Sequence, residues 1–327
     1  MEIIEKILQR NEFVKKPPVL VDVGASGELN KDWKEIAKYS ICIAFDPDER
    51  EMSYAKKESS FYKNFYIYKT ILTTEQSPTQ KFYLTSNPFC SSTLEPDEKK
   101  LKDWSHNQFF KVNKTVQFHT KRISDILSEL SINHIDWFKT DAQGTDLRLF
   151  KDIPENIRNK VLTADFEPGI MNAYKNEDKL WQLIEYFEDK NFWMSDITVK
   201  GVSRFREETR KKLNEENVNA ISRTSKWSPG WAEVSYMNNL DGQNFDKRDL
   251  LLMWVLATIK KQYGFAIEIA LKGCELFNDQ IFIEMKEATL RQTSEKFNHI
   301  KKTDKILRLI NKPKNIFKKL VKKNLGK

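Results

Sequence analysis

The hydrophobic pattern of this chain is strongest in short continuous runs, each stopped by glycine or an acidic residue. Val19, Leu20, Val21 and Val23 form one run behind Pro17-Pro18, and Ile41-Cys42-Ile43-Ala44-Phe45 forms a second. Aliphatic and β-branched runs of this length, without alternation, mark strands buried on both faces, which belong to parallel sheets. Phe65 to Tyr68, Ile135 to Phe138 and Val161 to Phe166 repeat the pattern, while Lys81 to Thr85 and Thr115 to Thr120 read as extended. Phe192 to Val199 and Trp231 to Met237 predict two final strands, separated by a charged segment from Arg204 to Asn217. Helical spacing fills the intervals. Ile3, Ile4, Ile7 and Leu8 predict one short helix within residues 1–16, and Asp48 with Glu51 forms a capping box opening a helix to about Lys57. Ser124 reads as the cap of a helix through Leu130, and Gly144 as the start of a helix with Leu147 and Phe150 turned inward. Asp178 to Lys190 is amphipathic, with Leu180, Trp181, Leu183, Ile184 and Phe187 on one face.

The first strand carries the most chemistry. It ends in Gly24-Ala25-Ser26-Gly27, where two glycines allow a sharp turn and close approach of the backbone to a ligand. Asp22 sits just inside the strand end, where a charge is tolerated only if paired or solvated. The loop is G-x-x-G, not the G-x-G-x-x-G of a dinucleotide site, which favours a ligand without a pyrophosphate. Asp46, after the second strand, is placed to accept hydrogen bonds from ribose hydroxyls. A turn or cap role alone also accounts for Asp46, but loop and acid together point to a nucleoside. A third signal is HIDWFKTDAQGTDLRLF, His134 to Phe150, with Asp141 at a strand end.

VDVGASG, the downstream Trp33 and IAFDPDE resemble the FkbM-type S-adenosylmethionine-dependent methyltransferases. Lys139, Asp141, Gln143, Gly144, Asp146 and Leu147 match that family's Lys-x-Asp-x-(Glu/Gln)-Gly-x-(Glu/Asp)-Leu motif, and Cys90, Ser91 and Ser92 match a Ser-rich stretch placed near its active site. For Cys90, Ser91 and Ser92, ordinary turn chemistry is an equal reading. The resemblance covers roughly Pro18 to Met237. It implies a Rossmann-like class I methyltransferase fold, a mostly parallel α/β sheet with an antiparallel last strand. It further implies S-adenosylmethionine bound by Asp22, Gly24, Ala25, Ser26, Gly27, Asp46 and Asp141, and a glycan or small-molecule hydroxyl as acceptor. The implied organisation is an N-terminal helix (1–16), the methyltransferase domain (17–240), a helical appendage (241–300) and a basic tail (301–327).

A hydroxyl acceptor needs a base or a metal as it attacks the methyl group. Asp141 and Glu167 end adjacent strands and are the candidate catalytic pair; binding a divalent ion is a second use of the same pair, and ordering the loop or cofactor a third use of Asp141. Gln143 stands where many relatives carry Glu and is given no base role, and His119 and His134 lie before or within strands. Asn87-Pro88-Phe89 lacks the second proline of the amino-methyltransferase signature and is set aside.

Composition changes this picture in one place. The net charge is +8 over 327 residues, but residues 301–327 hold eleven Lys or Arg and one acid, Asp304. The other 300 residues carry 44 bases against 46 acids, so the basicity belongs to the tail. There Pro313 reads as a first helical position, and Ile316, Phe317, Leu320 and Val321 share a face opposite lysines. Lys301 to Lys327 therefore reads equally as a peripheral contact with an anionic membrane or as a solvated, frayed end. Nucleic acid ranks below both, because no aromatic stacking pattern accompanies the lysines. Three cysteines without a C-x-x-C pair give neither a disulfide framework nor a zinc site. MEIIEKILQR lacks an apolar signal core, and the apolar run Leu250 to Ile259 is too short to span a bilayer. The expected setting is cytoplasmic, with the tail able to bring the chain to the inner membrane face, and oligomerisation is left open. Two other functions compete: a methyltransferase fold without turnover, acting as a scaffold in glycan assembly, and a nucleic-acid methyltransferase steered by the tail.

Overall fold

A computed structural model describes residues 2–25, 29–48, 50, 59–241 and 245–324, with side chains through residue 301 and at 303. The chain divides into two compact units, Leu8–Asp249 and Met1–Ile7 with Leu250–Lys327.

The larger unit holds a seven-stranded sheet. Its strands are β1 (Val19–Val23), β2 (Ile41–Phe45), β3 (Asn64–Tyr68), β7 (Trp137–Thr140), β8 (Thr163–Phe166), β9 (Phe192–Val202) and β10 (Ser228–Asn238). They lie in the order β3-β2-β1-β7-β8-β10-β9. All pairings are parallel except those of β10, which runs antiparallel to both β8 and β9. This is the Rossmann-like class I methyltransferase arrangement, in which the chain crosses back after β3 to place β7 on the other side of β1. The remaining strands, β4 (Ile71–Leu72), β5 (Thr79–Thr85) and β6 (Val112–Lys121), form a separate sheet of order β4-β6-β5 between β3 and β7.

The continuous apolar runs exist because the inner strands bury both faces. Val19, Val21, Val23, Phe138 and Phe166 pack on one side against Ile126, Phe150 and Phe187 from helices. Leu20, Cys42 and Ala44 of the strands are also fully buried. Trp33 is fully buried and meets Trp137 edge-on at 5.8 Å, so the downstream tryptophan is a core residue.

Several helix ends differ from expectation. Residues 1–16 hold two helices, Glu2–Leu8 and Asn11–Lys15. The helix Ile123–Glu129 is preceded by an extended Arg122, ion-paired to Asp152 at 2.6 Å, so Ser124 is a helical residue and not the cap. The helix after the third motif begins at Asp146, because Gly144 has φ +101° and turns the chain before it. In Leu180–Glu188 only Leu183 and Phe187 are buried; Trp181 and Ile184 face solvent, 63% and 44% exposed. The described residues do not include Glu51 to Lys57, where the capping box and its helix were expected.

The amino-terminal end of the sheet is closed by a buried ion pair. Arg248 donates to both Asp136 oxygens, at 2.9 and 2.7 Å, and to the carbonyls of Lys16 and Pro17. The Val19 amide donates to Asp136 Oδ2 at 2.9 Å. Burial pushes the Asp136 carboxyl up, but Arg248, His134 and the Val19 amide outweigh it and hold it at about 2. An unfolded aspartate titrates near 3.9, so folding is stabilised above that pH and the contribution is lost as pH falls through about 2. It amounts to about 2–3 kcal/mol. Urea unfolding from pH 5 to pH 2 should lose that much more stability in the parent than in Asp136→Asn. Equal losses would assign the pair no role in acid stability.

The smaller unit is helical. Leu250 to Leu256 are all 0–1% exposed, as an apolar-all-round segment requires. Trp254 Nε1 donates to Thr289 Oγ1 at 3.1 Å, and Gly273 lies so close to Phe282 that a Cβ would come within 2.0 Å of the ring. Its last helix, Ile281–Asn324, continues through Pro313, which is therefore not at a first helical position. Among the described residues no helix is long and apolar enough to cross a membrane.

Candidate active site

The sheet register builds the site. Val23 is paired with Phe45 of β2 and with Thr140 of β7, and Thr140 is paired with Phe166 of β8. The next row, at the carboxyl ends of four adjacent strands, is therefore Asp46, Gly24, Asp141 and Glu167. With strands about 4.8 Å apart, this row spans roughly 14 Å. Three carboxylates flank one position without a side chain, at the point where the strand order reverses.

Gly24 is held there by backbone geometry. Its amide and that of Ala25 both donate to Phe45 O, at 3.0 and 3.1 Å, and Asp141 N donates to Val23 O at 2.9 Å. Gly24 has φ +76°, and a Cβ on it would lie 2.0 Å from the Asp141 carbonyl oxygen. Ser26 and Gly27 lie outside the described residues.

Below this row, Asp22 and Lys139 are register partners on the same sheet face. Lys139 Nζ lies 2.8 Å from Asp22 Oδ1 and donates to Gly24 O at 3.3 Å. Asp22 is fully buried, and burial holds its carboxyl above the ordinary range in spite of Lys139. Burial pulls the Lys139 ammonium down, but Asp22, Asp141 and Glu167 together raise it above its usual value. Lys139 thus stands beside three acids and is ion-paired to Asp22. Asp22 Oδ2 has no hydrogen-bond donor among the described residues.

Asp46 is 5% exposed and accepts from the Asp48 amide at 2.7 Å. Burial, with added repulsion from Asp48 and Asp22, pushes its carboxyl up to about 7. Glu167 is driven far higher, by burial and then by Asp141, with which it shares a hydrogen bond. Asp146 is raised to about 7 by burial and by Asp141, and it accepts from the Ala142 and Gly144 amides.

Two cavities meet over the row. The first is lined by Gly24, Asp46, Ile71, Leu72, Phe82 and Ser91, and it has a void of about 60 Å³, smaller than a nucleoside. The second, of about 440 Å³, is lined by Cys90, His106, Phe109, Glu167, Tyr174 and Trp231. Phe89, Asp141 and Gln143 line both, so the two cavities adjoin at these side chains, and Phe89 is 48% exposed.

Gln143 sits at this junction in a left-handed conformation, φ +52°. Its Nε2 donates to Asp141 Oδ1 at 2.6 Å, its Oε1 accepts from Tyr174 Oη at 2.9 Å, and its carbonyl accepts from Ser92 Oγ at 2.8 Å. The residue is a positioning element for Asp141.

The structure thus brings Asp22, Gly24, Ala25, Asp46, Asp141 and Glu167 to one end of the sheet, with Ser91 and Ser92 beside them. His134 lies at the opposite end, bonded to Pro17 O, and His119 is exposed on β6. Sequence reasoning missed His106, Tyr174, Glu177 and Trp231, which line the larger cavity from loops and from β10. Nothing periodic in their surroundings marks them. Among the described residues no group of three His, Cys, Asp or Glu is placed to hold a metal ion.

No family model matches the chain, and no curated protein matches it. Among solved structures it aligns with one titled "StiE O-MT residues 961-1257", at 10% identity, covering 80% of each chain, with a TM-score of 0.31.

Proposed function

We propose that this protein is an S-adenosylmethionine-dependent methyltransferase of the FkbM type that methylates a hydroxyl group, on a sugar of a glycan or of a secondary metabolite. The observation that carries this reading is the row Asp46–Gly24–Asp141–Glu167 under two adjoining cavities. A nucleoside acid, a bare glycine and a carboxylate pair stand in the order that a cofactor and its acceptor require.

The residue types around the first cavity suit the cofactor, and that cavity must widen to admit it. Asp46 would accept from the ribose hydroxyls, Ile71, Leu72 and Phe82 would offer apolar surface to the base, and the missing side chain at Gly24 would let the ligand pass toward Asp141. Asp22 and Lys139 support the loop from below. When bound, the cofactor supplies an electrophilic methyl on a sulfonium, so the protein has to align the acceptor and exclude water. In the larger cavity, Asp141 accepts the hydroxyl proton of the acceptor. Glu167, protonated at neutral pH, donates to Asp141 and keeps it oriented. Aromatic walls from Phe109, Tyr174 and Trp231 suit the apolar faces of a sugar ring. The Asp141 carboxylate disfavours a phosphate-bearing acceptor, which weighs against nucleic acid.

Asp46 gives the reading a pH signature. Ribose binding uses the ionised carboxylate, which is half-populated near pH 7. S-adenosylmethionine should therefore bind about tenfold more weakly at pH 6 than at pH 8. Asp46→Ala should cost about 2–3 kcal/mol of binding at pH 8 and flatten the profile. Titration calorimetry at three pH values checks both; affinity unchanged by the substitution would remove Asp46 from the cofactor site. The acceptor class is tested by incubating the protein with methyl-labelled S-adenosylmethionine and a panel of glycosides. Label in a sugar ether supports the reading, and label only in amines or nucleic acid refutes it.

A further inference from the structure

The helix Ile281–Asn324 carries the basic excess of the chain in one continuous segment. At helical spacing, Ile306, Ile310, Pro313, Phe317, Leu320 and Val321 follow one another at intervals of four, three, four, three and one residues and so share one face. Arg308, Lys312, Lys319 and Lys322 fall on the opposite face, and Asp304 is the one acid among residues 301–327. Eleven basic residues against one acid would repel any cationic surface and attract an anionic one.

We infer that residues 303–324 form an interfacial helix that binds the surface of an anionic lipid bilayer, apolar face down, and holds the enzyme at the membrane. The apolar face decides between two polyanions. A nucleic acid is gripped by the lysines alone and has no use for a row of Ile, Phe, Leu and Val, whereas the headgroup boundary buries such a row. A bilayer-spanning role is excluded by the lysines themselves, which recur through the segment. Attachment needs both parts: lysines draw the helix to the charged surface, and the apolar residues retain it.

The test is co-sedimentation of the full chain with vesicles of phosphatidylcholine, alone or with roughly 30% phosphatidylserine. The parent chain should pellet at least about tenfold more strongly with the anionic vesicles, and raising the salt should release it. Phe317→Glu should leave it in the supernatant, as should Lys319→Glu combined with Lys322→Glu, with circular dichroism matching the parent. The parent chain remaining in the supernatant with anionic vesicles overturns the inference. So does capture by single-stranded RNA in place of the vesicles, and so does vesicle binding that Phe317→Glu leaves intact.

Discussion

Asp141→Asn should lower methyl transfer about 10²–10⁴-fold, the range of a lost general base, while Glu167→Gln should retain most of the activity. The two carboxyls end adjacent parallel strands, yet they are not equivalent. Glu167 is pushed far above the carboxylate range by burial and by Asp141, so it enters the reaction already protonated and cannot take a second proton. Glutamine in its place still donates a hydrogen bond to Asp141. Asparagine at position 141 can still accept from Gln143 Nε2, so the geometry survives and the base does not. The comparison needs the hydroxylated acceptor that the parent turns over best, with kcat and KM measured for both variants. Equal losses would make Glu167 the proton acceptor, and an active Asp141→Asn would remove the pair from the chemistry.

Lys139→Met should destabilise the fold by about 3–5 kcal/mol, the cost of removing one partner of a buried ion pair. Asp22 is wholly buried, and the Lys139 side chain is 21% exposed with its ammonium 2.8 Å away. Without Lys139, the Asp22 carboxyl keeps no cation nearby among the described residues, and the Gly24 carbonyl loses the Lys139 donor. Asp141 loses a neighbouring positive charge as well. Because the desolvation cost of both charges disappears when both go, Lys139→Met with Asp22→Leu should recover much of the stability while cofactor binding stays impaired. Urea midpoints of the parent, the single and the double variant measure this. A single variant within about 1 kcal/mol of the parent would show the pair to be a surface-like contact.

The inner strands β1, β2, β7 and β8 were legible because both of their faces are buried, so composition alone marks them. The row of site residues was legible for a related reason. Gly24, Asp46 and Glu167 each stop an apolar run, Asp141 follows one after Lys139 and Thr140, and parallel strands bring such ends together. What register does was not visible from one strand. Asp22 was read as needing a partner, but only the pairing of β1 with β7 identifies Lys139. The second sheet was equally hidden, since Lys81 to Thr85 and Thr115 to Thr120 read as strands with no indication of which sheet they enter. Helix ends failed where a tertiary contact outweighs local preference. Arg122 is extended at the N-cap and ion-paired to Asp152, and Ser124 lies inside the helix. Trp181 and Ile184 fit the apolar stripe of their helix, but two residues four apart, Leu183 and Phe187, suffice to anchor so short an element. The acceptor side was least legible. His106, Tyr174 and Trp231 come from segments far apart in sequence, and only the folded chain joins them.

Cofactor binding bears most directly on the central claim, and isothermal titration of the folded parent chain at pH 8 with S-adenosylmethionine and with S-adenosylhomocysteine measures it. The expected result is saturable binding of both, at one site per chain and with micromolar dissociation constants. Absence of heat with either ligand, from protein that unfolds cooperatively, would contradict the methyltransferase reading and leave the sheet as a scaffold.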